Sequence, residues 1–90
     1  MLSFKFNDKI IYKDHGNMLL AFNAENGDTY EFDEIGAEIF RLVTKNIGYE
    51  EILNILKAAY SEEYEDQIRN DLNDFLERLL KINVIISGND

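Results

Sequence analysis

Residues 26–43, NGDTYEFDEIGAEIFRLV, decide the fold because they join a tight turn, a short strand and a helix start without a linker. Asn26-Gly27 supplies the positive φ angles of a two-residue hairpin loop. Residues 29–32 predict a strand that carries its two aromatic side chains on one face. Asp33 is a good helix N-cap, and the spacing of apolar residues changes there from that of a strand to that of a helix. This stretch therefore predicts a sheet followed by helices.

Two further strands are predicted before this stretch. Residues 9–14 are rich in β-branched and aromatic residues, and residues 17–23 continue after a turn at His15-Gly16. The second of these strands places three large apolar residues on one face: Met18, Leu20 and Phe22. Short turns leave no room for crossovers, so the three strands predict an antiparallel meander. Residues 2–6 predict either a short first strand or an ordered tail.

Three helices are predicted after the meander, because apolar residues recur at helical spacing. The first runs from Asp33 to about Asn46, the second carries its apolar face between Ile52 and Tyr60, and the third runs from about Glu63 to Lys81. The third stripe consists of Ile68, Leu72, Phe75, Leu76, Leu79 and Leu80. Residues 83–86 predict a last strand or an extended cap. The fold class is therefore α+β, winged-helix-like, with an N-terminal three-stranded antiparallel sheet followed by three helices.

Composition narrows the function classes. We expect a single domain over residues 1–90, with its core at about 9–86, because 90 residues bury one modest core. No apolar run approaches the roughly 20 residues of a membrane span, and the start shows no signal-peptide h-region, so we expect a cytoplasmic protein without a membrane partner. The net charge of −9 opposes nucleic-acid binding. The absence of cysteine excludes thiolate metal sites.

No residue pattern predicts catalysis. His15 is the single histidine and lies in a turn, which is typical of a solvated side chain. Asp71 and Asp74 could pair on one helix, but acid–base chemistry needs a pocket that shifts their pKa values, and a solvated helix face is the simpler interpretation. The glycines do not form a phosphate-binding spacing. We therefore expect no enzyme, no metal and no cofactor.

The remaining candidate is a surface. A strand as short as residues 29–32, polar on one face, is typical of a sheet edge, where unpaired N–H and C=O groups accept another strand. If the third helix lies across from that edge, a groove runs between them and an extended peptide can add to the strand. We expect Phe75 and Leu79 in the core, whereas Ile68, Leu72 or Leu76 are candidates for lining the groove.

Three segments resemble the PqqD-type domain. Residues 26–43 are similar to its turn, aromatic strand and first helix, and EEILNILKAAY (50–60) is similar to its middle helix. DLNDFLERLL (71–80) is similar to its last helix. The resemblance covers about residues 9–86, and it implies a domain that binds the leader of a ribosomally made precursor peptide. It implies delivery of that peptide to a modifying enzyme such as a radical SAM enzyme or a lasso-peptide protease.

The resemblance also implies which residues bind. The leader would add to the backbone of the third strand and lie against the third helix. The residues implied are Thr29, Tyr30, Glu31, Phe32, Ile68, Asp71, Leu72, Phe75 and Leu76. The acids between Glu62 and Glu77 would favour a basic leader. A proline at Tyr30 is expected to abolish binding by removing a backbone donor.

Two alternative functions stay open at this point. One is a winged-helix nucleic-acid-binding domain, which would need a basic recognition helix where this chain has an acidic one. The other is a small dimerisation module, in which the edge strands of two copies pair to form a homodimer.

Overall fold

The computed structural model describes residues 3–87, apart from the side chain at position 62. Its elements in chain order are β1 (Phe4–Phe6), β2 (Ile10–Asp14), β3 (Met18–Asn23), β4 (Thr29–Asp33), α1 (Glu34–Thr44), α2 (Tyr49–Tyr60), α3 (Glu65–Lys81) and β5 (Ile85–Ser87). A single 3₁₀ turn, Glu62–Tyr64, precedes α3. Strands β2, β3 and β4 form an antiparallel sheet in that order. The predicted meander and the α+β class are confirmed.

The sequence left open whether residues 2–6 and 83–86 form strands; strands are present at Phe4–Phe6 and Ile85–Ser87, and residue 2 lies outside the described residues. β1 and β5 pair antiparallel as a separate two-stranded sheet, with Phe4 opposite Ser87 and Phe6 opposite Ile85. The Asn7 side chain donates to the Asn83 backbone carbonyl at 2.8 Å and fastens the same junction. The first and last described segments therefore lie side by side.

The core lies between the three-stranded sheet and the helices. The completely buried residues of the helices include Phe40, Ile52, Leu76 and Leu79. From β3 the core takes Leu19 and Ala21, so the buried face is the one opposite Met18, Leu20 and Phe22. Those three residues do share a face, as predicted, but Phe22 is 42% exposed there. The strand is apolar on both faces, so alternation alone does not identify the buried one.

Helices α1 and α3 end in the same way. Asn46 and Asn83 have φ angles of 58° and 63°, a left-handed conformation that asparagine tolerates better than most residues. After α3, the amide of Val84 donates to the carbonyl of Leu79 at 2.9 Å and the amide of Asn83 donates to Leu80 at 3.2 Å. This hydrogen-bond pair is a Schellman motif, and it stops each helix within two residues.

The start of α1 differs from the simple cap that the sequence predicts. Asp33 occupies the N-cap position, but its side chain makes no capping hydrogen bond. Glu34 has a φ of 46°, and its amide donates to the carbonyl of Asn17 at 3.1 Å. The sheet ladder therefore continues one residue past the end of β4, and a left-handed residue then turns the chain into the helix.

Among residues 3–87, no helix is both long and apolar enough to cross a membrane.

Candidate functional site

The outer edge of β4 carries unpaired backbone groups. In an antiparallel pair, hydrogen-bonded and non-hydrogen-bonded residue pairs alternate along the ladder. The amide of Asn23 donates to the carbonyl of Asp28 at 2.8 Å, and the amide of Glu34 donates to the carbonyl of Asn17. The residue pairs just beyond both ends of the β3–β4 ladder are therefore hydrogen-bonded pairs, and the same alternation runs through the ladder between them. Within residues 3–87, no strand pairs with the other side of β4. The sheet therefore has an open edge at this strand.

The phase of the ladder decides which backbone groups are available. Tyr30 pairs with Ala21 and Phe32 with Leu19 as hydrogen-bonded pairs, so their N–H and C=O groups point into the sheet. The groups of Thr29, Glu31 and Asp33 point outward. Of the four strand residues predicted to pair through their backbone, only Thr29 and Glu31 are free to do so, and Asp33 joins them. A proline at Tyr30 would break the sheet itself, so the decisive proline position is Glu31.

A cleft of about 360 Å³ opens beside this edge, and we call it the edge cleft. Strand β4 forms one wall, the first turns of α1 form the floor, and α3 forms the other wall. The lining residues are Glu31, Phe32, Asp33, Ile35, Gly36, Ile39, Asp71, Phe75 and Arg78. The predicted groove between the strand and the third helix is therefore present in the structure.

A second cleft of about 300 Å³ continues from the first, and we call it the tyrosine cleft. Ile35, Ile39 and Asp71 line both clefts, so the two form one continuous groove. Its further lining residues are Leu56, Tyr60, Tyr64, Gln67, Ile68 and Leu72. Ile35 is 46% exposed at the junction, although its place in the apolar stripe of α1 predicts a core residue. An exposed apolar residue at this point suits contact with a partner.

Aromatic rings from both walls line the edge cleft. The rings of Phe32 and Phe75 meet edge-to-face with centroids 5.8 Å apart, and Phe32 also contacts Phe40 at 5.2 Å. Phe75 is only partly buried, whereas the sequence suggests a core residue. Gly36 lies beneath it, and a Cβ at Gly36 would lie 3.3 Å from Cε1 of Phe75. The glycine lets the ring approach the backbone of α1 closely.

The predicted residues of α3 fall into two groups. Ile68, Asp71 and Phe75 reach the groove, and Leu72 contributes to the tyrosine cleft although it is only 1% exposed. Leu76 is completely buried and borders neither cleft, so it supports the groove from the core. The row of α3 residues that line the groove continues about one turn beyond Phe75 to Arg78, a residue that the sequence analysis missed. Extending the spacing from Asp71 through Phe75 by three residues would have found it.

The groove carries both signs of charge. Asp71 lies where the two clefts meet, and the Arg78 guanidinium lies 5.9 Å from the centre of the Phe75 ring. Of the acids between Glu62 and Glu77, Asp71 is the one that lines these clefts within the described residues. Glu65 contacts Arg69 at 2.6 Å and Lys57 at 3.4 Å, and hydrogen bonds from these cations lower its pKa. The acidic surface is therefore mostly outside the groove.

A tyrosine hydroxyl borders the second cleft. The Tyr60 hydroxyl donates to Oε1 of Glu38 at 3.2 Å. Burial, followed by the Glu38 carboxylate, raises the pKa of Tyr60 above its ordinary value of 10.0. Tyr60 therefore presents a polar tip beside an apolar cavity.

Fold and site together define a small α+β domain with an open sheet edge facing a helix-walled groove. The chain matches the family model "Coenzyme PQQ synthesis protein D (PqqD)" over residues 19–85, which is most of its length. The chain belongs to the PqqD family. The resemblance noted in its sequence is thereby confirmed.

A solved structure shares the fold over nearly its whole length. It is that of TbiB1 in complex with the TbiA(beta) leader peptide, with a TM-score of 0.86 and 23% sequence identity. The match covers 96% of this chain and 99% of that chain. A comparison with curated proteins gives no match.

Proposed function

We propose that this domain binds the leader segment of a ribosomally made precursor peptide as an added strand on β4. The open edge of β4, with free backbone groups at Thr29, Glu31 and Asp33, is the observation that carries this proposal. Main-chain hydrogen bonds to an edge supply affinity for any extended peptide. Membership in the PqqD family and the leader peptide bound to the structurally similar TbiB1 support it.

The groove supplies the selection that an edge alone lacks. Side chains of an added strand point alternately to opposite faces of the sheet, so every second peptide residue faces α3. The apolar residues that would receive these side chains are Ile35, Ile39, Phe75 and Ile68. Asp71 favours a basic peptide group at the junction of the clefts, and Arg78 favours an acidic one beside β4. The preferred leader is therefore amphipathic with mixed charge.

The domain acts as a carrier and not as a catalyst in this proposal. It presents the bound precursor to a separate modifying enzyme, such as a radical SAM enzyme or a lasso-peptide protease. The family membership supports a role in such a pathway. The acidic α3 offers no basic face for a nucleic acid, and the comparisons give no support to that alternative.

The experiment is an amide chemical-shift titration of the full chain with the leader half of a short precursor peptide encoded beside it. We expect shifts concentrated at the outward amides of β4 and at the groove residues of α3. A folded sample whose shifts fall elsewhere, for example on β2, would contradict binding at the β4 edge.

Two substitutions at Glu31 distinguish the contribution of its backbone N–H to peptide binding from the contribution of its side chain. Glu31→Pro removes an outward N–H and places a ring at the edge, and edge strands tolerate proline. We expect at least about a tenfold loss of peptide affinity, the equivalent of one backbone hydrogen bond and some steric exclusion. Glu31→Ala keeps the N–H and should retain most of the affinity. Isothermal titration of both variants measures the difference, and equal affinities would refute strand addition at this position.

A further inference from the structure

The face of the three-stranded sheet that points away from the helices is apolar at its centre. Ile11 and Phe22 are cross-strand partners, and they are 62% and 42% exposed. Leu20 lies beside them on the same face and is only partly buried. A shallow depression of about 410 Å³ runs across these side chains. Adjacent exposed apolar side chains of this size mark an interaction surface, which we call the outer face.

Charge is ordered across the outer face. The ladder registers place Lys13, Leu20 and Glu31 in one row across β2, β3 and β4. The neighbouring row is Ile11, Phe22 and Thr29. The face is therefore basic along β2, apolar along β3 and acidic along β4. Within residues 3–87, neither Lys13 nor Glu31 takes part in an ion pair.

We propose that the outer face binds a second copy of this chain, related by a two-fold axis that runs parallel to β3. Rotation about this axis brings β2 of one copy over β4 of the other and stacks β3 on β3. Lys13 of each copy then faces Glu31 of its mate, and Leu20 and Phe22 meet their own equivalents. The contact is isologous, so it closes at two copies.

Distances in stacked sheets suit this arrangement. Face-to-face sheets pack about 10 Å apart, a gap that a lysine and a glutamate side chain can bridge together. A two-fold axis perpendicular to the strands would instead place Lys13 against Lys13 and Glu31 against Glu31, so the charges select one of the two symmetric arrangements. The net charge of −9 opposes self-association in general, but the outer face carries both signs in equal number along this row.

This dimer differs from pairing of edge strands. Stacking through the outer face leaves the outward groups of β4 and both clefts open, so each copy keeps its groove. An edge-paired dimer would cover the same backbone groups that a peptide needs. The inference therefore stands whether or not the proposed function is correct.

Sedimentation equilibrium of the full chain tests the proposal. A three-stranded face is small for a stable interface, so we expect weak association, measured from about 10 μM to about 1 mM at about 0.15 M salt. The weight-average mass should rise from 10.5 kDa toward twice that value over this range. A mass that stays at one chain up to the highest concentration overturns the proposal and leaves the outer face to a different protein.

Charge exchange tests the arrangement itself. Lys13→Glu and Glu31→Lys should each weaken association at least about tenfold, and the double variant should return to within about threefold of the parent. Lys45→Glu makes the same charge change outside the sheet and should leave association unchanged. Circular dichroism confirms folding of each variant, and Phe22→Gln provides a second disruption of the same face. A double variant no better than either single one overturns the proposed symmetry.

Discussion

At the scale of single residues, Gly36 controls the depth of the groove. Its missing side chain allows the Phe75 ring to lie against the backbone of α1, where a Cβ would approach the ring to 3.3 Å. That distance is tight, but Phe75 is partly exposed and can move outward into the edge cleft. Gly36 therefore shapes the floor of the groove through the side chain that it lacks.

We predict that Gly36→Ala weakens peptide binding more than it changes stability. Alanine gains up to about 1 kcal/mol of helix propensity over glycine, which offsets the cost of displacing the ring. The displaced Phe75 ring narrows the edge cleft, so affinity should fall several-fold. Chemical denaturation and peptide titration measure the two effects separately.

Gly48→Ala is the matched control. A Cβ at Gly48 meets nothing within 4 Å, and this residue lies outside both clefts. Peptide affinity should therefore stay at the parent value. Full binding by the Gly36→Ala protein would mean that the floor of the edge cleft does not contact the peptide.

The residues of the site could be predicted from the sequence only in part. The open edge follows from a short strand between a turn and a helix, and Ile68 follows from the apolar stripe of α3. Asp71 follows from the resemblance to the PqqD-type domain. The outward phase of Thr29, Glu31 and Asp33 depends on the register with β3, which residue types do not encode. The exposure of Phe75 and Ile35 depends on how α1 and α3 approach each other. Tertiary packing therefore decides which members of an apolar stripe reach the surface.

At the scale of elements, two helices owe their ends to left-handed asparagines. Asn46 and Asn83 each let the chain reverse direction directly after a Schellman motif. At Asn83 this reversal aims the chain from α3 into β5. The second motif therefore links a helix end to the pairing of the terminal strands.

We predict that Asn83→Ala destabilises the domain by about 1 kcal/mol. Alanine is sterically disfavoured in the left-handed region, which asparagine tolerates because its short polar side chain can hydrogen-bond to the nearby backbone. Asn83→Gly should keep the stability of the parent, since glycine adopts this conformation without strain. The hydrogen bond from Asn7 goes to the backbone carbonyl of Asn83 and survives both changes. Urea unfolding measures the differences in free energy.

Asn70→Ala provides the comparison within α3. Asn70 is exposed in the helix interior, where alanine is the better helix former, so this change should be neutral or slightly stabilising. Equal losses at Asn70 and Asn83 would point to the asparagine side chain and not to the backbone conformation.

The order and type of the elements from β2 to α3 could be predicted because the hydrophobic period changes sharply from strand to helix at Asp33. The buried face of β3 could not, because MLLAFN offers apolar residues to both sides. The pairing of β1 with β5 joins segments about 80 residues apart, and nothing local in either segment specifies the other. The sequence alone therefore could not decide whether the two terminal segments form strands, because that depends on their long-range pairing with each other.

At the scale of the whole molecule, one ion pair ties the sheet to the helices. Nε of Arg41 donates to Asp14 at 2.7 Å, its Nη2 donates to the same carboxylate at 2.9 Å, and the guanidinium also donates to the carbonyl of Gly16. The two hydrogen bonds from Arg41, followed by one from the backbone amide of Gly16 to Oδ1 of Asp14 at 2.9 Å, hold the pKa of Asp14 below its ordinary value of 3.8. The turn between β2 and β3 is thereby fixed to α1.

We predict that acid destabilises the domain partly through this carboxyl. Because its pKa is lower in the folded state, Asp14 contributes stability above its ordinary pKa, and that contribution is lost as the pH falls through the folded value. Glu65, whose pKa is also lowered, acts in the same direction. Asp14→Asn should reduce stability at pH 7 and shrink the loss between pH 7 and about pH 3. Urea unfolding at both pH values measures this.

Asp74→Asn serves as the control for charge alone. Asp74 is exposed and takes part in no ion pair within residues 3–87. The acid sensitivity of this variant should match that of the parent. A parent-like pH dependence in the Asp14→Asn protein would mean that Asp14 is not a source of the acid sensitivity.

The pairing of β1 with β5 has a mechanical consequence. Phe4 lies opposite Ser87 at the outer end of an antiparallel pair, so tension applied through the two ends loads one rung of the ladder at a time. The hydrogen bonds of such a pair break one after another, whereas strands that are sheared along their length must break all their hydrogen bonds at the same time. The domain should therefore open first at this junction and at low force. Asn7 and Asn83 share that junction, and the sheet with the open β4 edge stays intact behind it.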